Sequence, residues 1–231
     1  MLSPNSGGPL DNKLLSTLPR SELEMLLPNL STRNLPQGQV LLESGEEFDQ
    51  VYFPHSGMLS LLVVMQDAKA IETSTVGREG VVGAMAGIGL YKSSARVVVQ
   101  LPMTCTLIAA SQLRKAVAAN EVIRKLCIDY NEVLLMQSRV TAGCNALHPI
   151  DQRFCRWLLQ SSDRAASDTV ELTQEFLSEM LGVRRTSVTE VASNLQKAGI
   201  ITYARGTIKI LDRKKVEDLS CECFQRLSSA N

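Results

Sequence analysis

Hydrophobic and polar positions along this chain change period twice. From residue 10 to residue 30, the run DNKLLSTLPRSELEMLLPNL spaces its leucines helically, with Ser21 as an N-cap candidate and Glu24 three residues on, the arrangement of a capping box. One or two short helices are predicted there. Between residues 33 and 110 the pattern turns to short β-rich runs at 39–42, 50–54, 58–64, 70–76, 96–100 and 104–109, separated by Gly, Pro and polar turns. Strands at roughly 8–12-residue spacing predict an antiparallel barrel or sandwich, and no longer self-similar repeat interrupts them.

From Ser111 onward helical spacing returns. Ile123, Leu126, Tyr130, Val133, Gln137, Val140, Cys144 and Leu147 follow one another in alternating steps of three and four. Such a stripe suits either a helix packed on its own domain or a two-helix seam between chains. Two features favour the seam. The stripe outlasts the ~20 Å face of a small barrel at ~1.5 Å per residue, and a polar Gln137 at a core position is a register-setting device. Cys127 and Leu134, one residue along, would then pack on the barrel. Pro149 ends the helix, and His148, held extended by the following proline, marks a hinge.

The second domain opens with an amphipathic run at 150–160 carrying Phe154, Trp157 and Leu158, followed by the polar loop SSDRAASD. Residues 172–197 predict two short helices around Gly182. Thr173 is the N-cap candidate, Phe176, Leu177, Met180 and Leu181 line the first buried face, Val183 plugs the turn, and Val188, Val191, Ala192 and Leu195 line the second. Residues 200–210 read as a hairpin turning at Arg205-Gly206, and a single C-terminal helix is predicted from 213 to about 227. Two short amphipathic helices followed by a hairpin describe a winged helix-turn-helix, whose second helix enters the DNA major groove by its N-terminal residues.

Charge sharpens that reading. Lys+Arg and Asp+Glu both number 24, so no global field draws the chain to nucleic acid or acidic lipid, and any attraction must be local. It is local here: residues 184–209 hold Arg184, Arg185, Lys197, Arg205 and Lys209 against Glu190 alone, whereas residues 163–179 hold five acids and one base. Cations at a helix N-terminus oppose its dipole, so Arg184-Arg185 has little structural purpose.

Composition removes other classes. With 45% hydrophobic and 21% charged residues the chain is globular, and 4% aromatics leave no base-stacking platform for single strands. The most apolar windows, 58–65 and 81–91, fall short of the ~20 residues that span a bilayer. Residues 1–12 lack the basic and apolar parts of a signal peptide, so a frayed tail and a cytoplasmic location are expected. Six scattered cysteines read as buried reduced thiols. No HExxH, nucleophile elbow or P-loop is present, so no enzyme is expected.

The order of parts resembles the bacterial CRP/FNR (cyclic-AMP receptor protein/fumarate-nitrate regulator) transcription regulators, most specifically in LTQEFLSEMLGVRRTSVTEVASNLQKAGIITYARGTIKILDR. The resemblance implies an α+β chain: an N-terminal antiparallel β-roll of cyclic-nucleotide-binding-like, jelly-roll type with flanking helices at 13–119, a long dimerisation helix at 120–147, and a C-terminal winged helix-turn-helix DNA-binding domain at 149–231. It implies a homodimer on double-stranded DNA carrying an inverted repeat, and the stripe places Ile123, Leu126, Tyr130, Val133, Gln137, Val140 and Cys144 at its interface. RNA polymerase and a small-molecule effector of unknown identity are further partners the resemblance allows; no membrane partner is expected.

Recognition residues carry over unevenly. The family's recognition helix usually begins Ser-Arg-Glu-Thr-Val; here Arg184-Arg185-Thr186-Ser187-Val188 stands in its place, with Glu190 where a second Arg is usual. Arg185 keeps the guanine-reading position, Thr186 replaces the cytosine-reading glutamate, Ser187 and Arg184 suit phosphates, and Thr189, Glu190 and the wing's Arg205 complete the DNA-binding set. Cyclic-nucleotide-binding members pair the cyclic phosphate with an arginine in Arg-Ser-Ala. Ser93 occupies that place here, with Arg96 three residues on, so the sensor domain is expected to be degenerate and not to bind cyclic AMP; the glycines of segment 77–89 read as close-packed turns.

The clustered N-terminal cysteines of the oxygen-sensing branch are absent. Cys221 and Cys223, placed on one helix, would point about 200° apart and chelate poorly, Cys155 reads as a core side chain, and His55 and His148 read as structural. No metal and no cofactor are therefore expected. The competing reading is a ligand-gated module whose winged helix contacts protein instead of DNA.

Overall fold

The computed structural model describes residues 8–228, so the expectation for residues 1–7 lies outside the described residues. In chain order the elements are α1 (Lys13–Ser16), α2 (Arg20–Leu26), β1 (Leu30–Leu35), β2 (Val40–Leu42), β3 (Gln50–Pro54), β4 (Met58–Val64), β5 (Ala70–Val76), β6 (Arg96–Leu101), β7 (Met103–Ala109), α3 (Ala110–Ala119), α4 (Glu121–Leu147), α5 (Ile150–Ala165), β8 (Thr169–Glu171), α6 (Gln174–Leu181), α7 (Arg185–Lys197), β9 (Ile201–Ala204), β10 (Thr207–Ile210), α8 (Arg213–Leu219) and α9 (Cys223–Ser228). No helix among the described residues is long and apolar enough to cross a membrane. Packing groups the chain differently from the linear division: the first compact unit ends at Leu59 and resumes over Val76–Val133, and the second takes Ser60–Thr75 with everything from Leu134.

In the first unit, β7 lies between β1 and β3, antiparallel to both, with Leu30 opposite Ile108 and Tyr52 opposite Leu107. β2 pairs antiparallel with β6 through a register shift between Val40 and Leu42. Strand alternation buries Val51 and Phe53 of β3, and Leu113, Ala116 and Val117 of α3 join the same core. Val51, Phe53 and Leu113, fully buried, each contribute ~1.5–3 kcal/mol. Residue 12, expected to fray, is instead a fixed point: buried Asn12 accepts from Leu15 N at 2.9 Å to cap α1 and donates to Pro54 O and Gly80 O at 2.8 and 2.9 Å. Side-chain and backbone hydrogen bonds of a short polar residue outweigh the weak local signal of its neighbours. Gly80 is obligatory, because a Cβ there would lie 1.7 Å from Tyr130 Oη.

The second unit is built on α5, which contacts β8, α6, α7, α8 and α9. Phe154, Trp157 and Leu158 are buried, as the amphipathic run requires. Neighbouring strands β4 and β5 supply its hairpin, turning where Met65 N donates to Lys69 O at 2.8 Å. Glu72, on β5, is buried and accepts from Trp157 Nε1 at 2.8 Å and from Ser60 Oγ. Gln137 Oε1 accepts from Thr75 N at 3.2 Å, and Ser74 bonds Ser138 at 2.9 Å.

Three expectations change. Ile123, Tyr130, Gln137 and Cys144 are buried by their own chain, at 1%, 4%, 2% and 1% exposure, and so are not free to meet a partner; the apolar stripe found in the sequence is largely an intrachain face. The C-terminal helix is two helices, because α8 stops at Leu219 and Ser220–Glu222 form a bend and turn before α9. Cys221 therefore lies outside a helix, and the argument that Cys221 and Cys223 diverge on one helix does not apply. Finally, the polar run Leu30–Leu35 is itself a strand, β1, paired with β7, and the polar loop after α5 leads into β8, which pairs with β10.

Candidate nucleic-acid interface

Local chemistry fixes the turn between α6 and α7. Thr173 Oγ1 accepts from Phe176 N at 3.2 Å, starting α6. Gly182 ends it at φ +62°, a left-handed conformation that suits glycine, while Gly182 N donates to Glu179 O and Val183 N to Ser178 O. Leu177, Met180 and Leu181 of α6 are buried, as are Val188, Val191, Ala192 and Leu195 of α7.

The opposite side of α7 is open. Arg184, in extended conformation, occupies the N-cap position without a side-chain capping bond, and Arg184, Arg185, Thr186, Thr189 and Glu190 are exposed while Ser187 is half-buried. Two predicted residues are held by one that sequence reasoning missed. Gln174 Oε1 accepts from Arg185 Nε at 3.5 Å and shares the single Thr189 hydroxyl proton, at 2.9 Å, with Arg185 O, at 3.0 Å. A glutamine at the first position of α6 carries no distinguishing sequence signal.

The wing is a two-residue hairpin. Ala204 pairs with Thr207, leaving Arg205 and Gly206 at the tip with φ of +50° and +77°. Both central residues left-handed is the geometry that matches strand twist. Arg205 is exposed there. Tyr203 anchors the wing, donating from Oη to Leu172 O at 2.8 Å, and burial pushes its phenol up to about 12, opposed by the charge of Arg185, so the donor stays protonated. Arg184, Arg185, Lys197, Arg205 and Lys209 enter no salt bridge among the described residues. These five cations lie on α7, its N-cap and the adjoining wing, with Glu190 the acidic side chain among them.

In the first unit, Ser93 is buried and donates to Ala95 O at 2.6 Å, while Arg96 Nε pairs with Glu43 Oε2 at 2.9 Å. A groove lined by Leu41, Leu42, Gln50 and Tyr52 also carries Glu46, Glu47 and Asp49 and no basic side chain.

Residues 32–120 match the family described as the cyclic nucleotide-binding domain, and residues 152–219 match the Crp-like helix-turn-helix domain. Similar solved structures include a protein placed in the crp/fnr family from Eubacterium rectale (16% identity, 91% of this chain and 98% of that one, TM-score 0.73). FixK2 from Bradyrhizobium japonicum (15%, 83% and 98%, TM-score 0.71) is also similar. So is TTHA1359, a transcriptional regulator of the CRP/FNR family from Thermus thermophilus (19%, 82% and 98%, TM-score 0.67). Comparison with curated protein sequences gives no match. Both family domains occur in the order the fold displays, the second holding the basic helix-turn-helix, and on that basis the chain belongs to the CRP/FNR family of transcription regulators.

Proposed function

We propose that the chain is a cytoplasmic, homodimeric, sequence-specific DNA-binding regulator, not an enzyme, whose sensor domain does not take cyclic AMP. The observation that carries the reading is the exposed start of α7, where Arg184, Arg185, Thr186, Thr189 and Glu190 stand clear of the core beside Arg205 of the wing. Arg185, steadied by Gln174, reads a guanine edge; Arg184, Ser187 and Arg205 hold phosphates. A protein-binding role for the winged helix would not call for five unpaired cations with a guanidinium at the base-reading position.

The dimer seam in this reading is the outward side of α4. Ile128 and Leu135, one heptad apart and so on one side of the helix, are exposed apolar side chains. In the sensor domain, Ser93 offers a cyclic phosphate no charge, and Arg96 is committed to Glu43.

Selection of genomic fragments by the purified protein, followed by affinity measurement across a salt series, tests the proposal. An inverted repeat should emerge, with log K falling steeply as salt rises, by ~0.9 per phosphate contact. Fragments without two-fold symmetry, or an affinity indifferent to salt, would overturn it.

A further inference from the structure

Four side chains with no place in the DNA reading converge behind the hinge. Cys144 lies in the last turn of α4, and His148 follows four residues on, its N–H still bonded to Cys144 O at 3.1 Å, so both side chains share one face. Cys221 and Cys223 reach them from the segment joining α8 to α9. The three sulfurs and an imidazole nitrogen all lie within 4.8 Å of one another. Cys144 Sγ is 3.6 Å from Cys221 Sγ, and Cys223 Sγ is 3.6 Å from His148 Nδ1.

Those spacings select the ligand. Around one tetrahedral ion, bonds of ~2.3 Å to sulfur and ~2.0–2.1 Å to nitrogen place two sulfurs ~3.8 Å apart and sulfur and nitrogen ~3.6 Å apart. A four-iron cluster carries its thiolates on the corners of a cube and needs them spread more widely than this. Hard cations such as calcium and magnesium take oxygen instead.

The surroundings fit the same ion. His148 Nε2 lies 3.2 Å from Glu222 Oε2, so a proton held on Nε2 leaves Nδ1 free to ligate, as carboxylate–histidine–metal arrangements do. Three thiolates, a neutral imidazole and a divalent ion sum to one negative charge. Arg153 and Arg156 are both buried, and neither enters a salt bridge among the described residues. Arg153 donates only to the neutral oxygens Asn145 Oδ1 and Leu181 O, and the Nε atoms of both arginines have no hydrogen-bond partner. Arg156 has the carboxyl of Glu72 acting on it, whereas Arg153, bonded to Asn145 beside Cys144, meets only neutral acceptors, and an anionic metal site there offsets the cost of that buried cation.

We propose that Cys144, His148, Cys221 and Cys223 form a closed four-coordinate zinc site that fastens the end of α4 to the C-terminal segment across the hinge. Loading exchanges the thiol protons of three cysteines for one zinc ion, releasing those protons to solvent with no change of oxidation state. The site closes a loop between residues 77 apart, so it constrains the hinge whatever the DNA-binding domain recognises.

Elemental analysis of the full chain, purified under reducing conditions without chelator, should find one zinc per chain. Cobalt titrated into metal-free protein should develop the intense visible bands of tetrahedral thiolate coordination and saturate at one equivalent. Cys144→Ser and Cys223→Ser should each weaken metal binding at least tenfold, whereas Cys155→Ser, a buried thiol outside the cluster, should leave it unchanged. Should a serine variant fail to fold, cobalt titration of the unaltered chain decides. Wild-type protein that is folded yet gives neither stoichiometric zinc nor the cobalt spectrum overturns the site. Retention of metal by both serine variants overturns it as well, as does a Cys144–Cys221 disulfide in a chain that takes up no metal once reduced. These readouts need no DNA, so this inference and the DNA reading stand or fall separately.

Discussion

Glu72 offers a sharp test of how the second unit is held. Burial raises its carboxyl pKa above 4.5, against the lowering effects of the Ser60 hydrogen bond, Arg156, Trp157 and Arg164. The native state thus binds this proton more tightly than the unfolded chain. Its contribution to stability is complete below pH 4.5 and drains away as pH rises through the elevated native value. Glu72→Gln keeps an acceptor for Trp157 Nε1 and a polar partner for Ser60 but cannot ionise. The stability of the natural chain relative to Glu72→Gln should therefore fall with rising pH, by at most ~1.4 kcal/mol per pH unit, and level off above the native pKa. Glu72→Ala should cost more, ~2–4 kcal/mol, because Trp157 Nε1 loses its acceptor inside the core. Trp157 is the sole tryptophan, so urea unfolding followed by its fluorescence at a series of pH values reports this neighbourhood directly. A difference between natural and Glu72→Gln chains that stays flat, or grows in favour of Glu as pH rises, would refute the reasoning.

Other expectations are quickly checked. Arg185→Ala should cost ~1–3 kcal/mol per half-site and flatten preference at one symmetric base position, whereas Arg205→Ala should weaken all sequences alike and shallow the salt slope by about one; an unchanged sequence preference after Arg185→Ala would make it a phosphate contact. The double variant Ile128→Glu, Leu135→Glu should run as a monomer in light scattering at concentrations where the natural chain is dimeric, and a persistent dimer would move the seam elsewhere. Calorimetry with cyclic AMP at millimolar concentration should show only background heat, and tight binding weakened by Ser93→Ala would show that Ser93 lines a nucleotide site.

The sequence made strands and recognition helix legible for different reasons. Short β-rich runs bounded by Gly, Pro and polar turns located β3, β4 and β5 to the residue, and the leucine and valine faces of α6 and α7 with Gly182 between them are a purely local pattern. β1 was hidden because Ser31 to Asn34 are all exposed on it, so its existence depends on β7 alone. Long-range contact also misled the stripe on α4. Spacing shows that Ile123, Tyr130 and Gln137 share a buried face but not which chain buries it, and only the hydrogen bond from Thr75 N reveals that Gln137 serves its own hairpin. The cysteine–histidine cluster lay beyond sequence reasoning for the same reason. Nothing local links Cys144 to Cys221, and no Gly or Pro marks the break at Ser220–Glu222 that frees Cys221 from a helix.

The placement of Ser60–Thr75 in the second unit bears on how the chain is made. This hairpin leaves the ribosome early, while the α5 residue that bonds it, Trp157, and the turn whose Gly182 lies against Ile71 are synthesised roughly 80–110 residues later, ~4–20 s at ordinary elongation rates. During that interval Glu72 has its bond from Ser60 but not the one from Trp157, and Ile71 lacks the turn at Gly182, although the strands around them in sequence can already pair. The second unit therefore cannot be completed until the residues from Trp157 to Gly182 have been made, whereas the first has all its residues by Val133. The hairpin's packing surface stays unfinished until the last third of the chain emerges, so a slower ribosome between residues 75 and 157 lengthens its exposure.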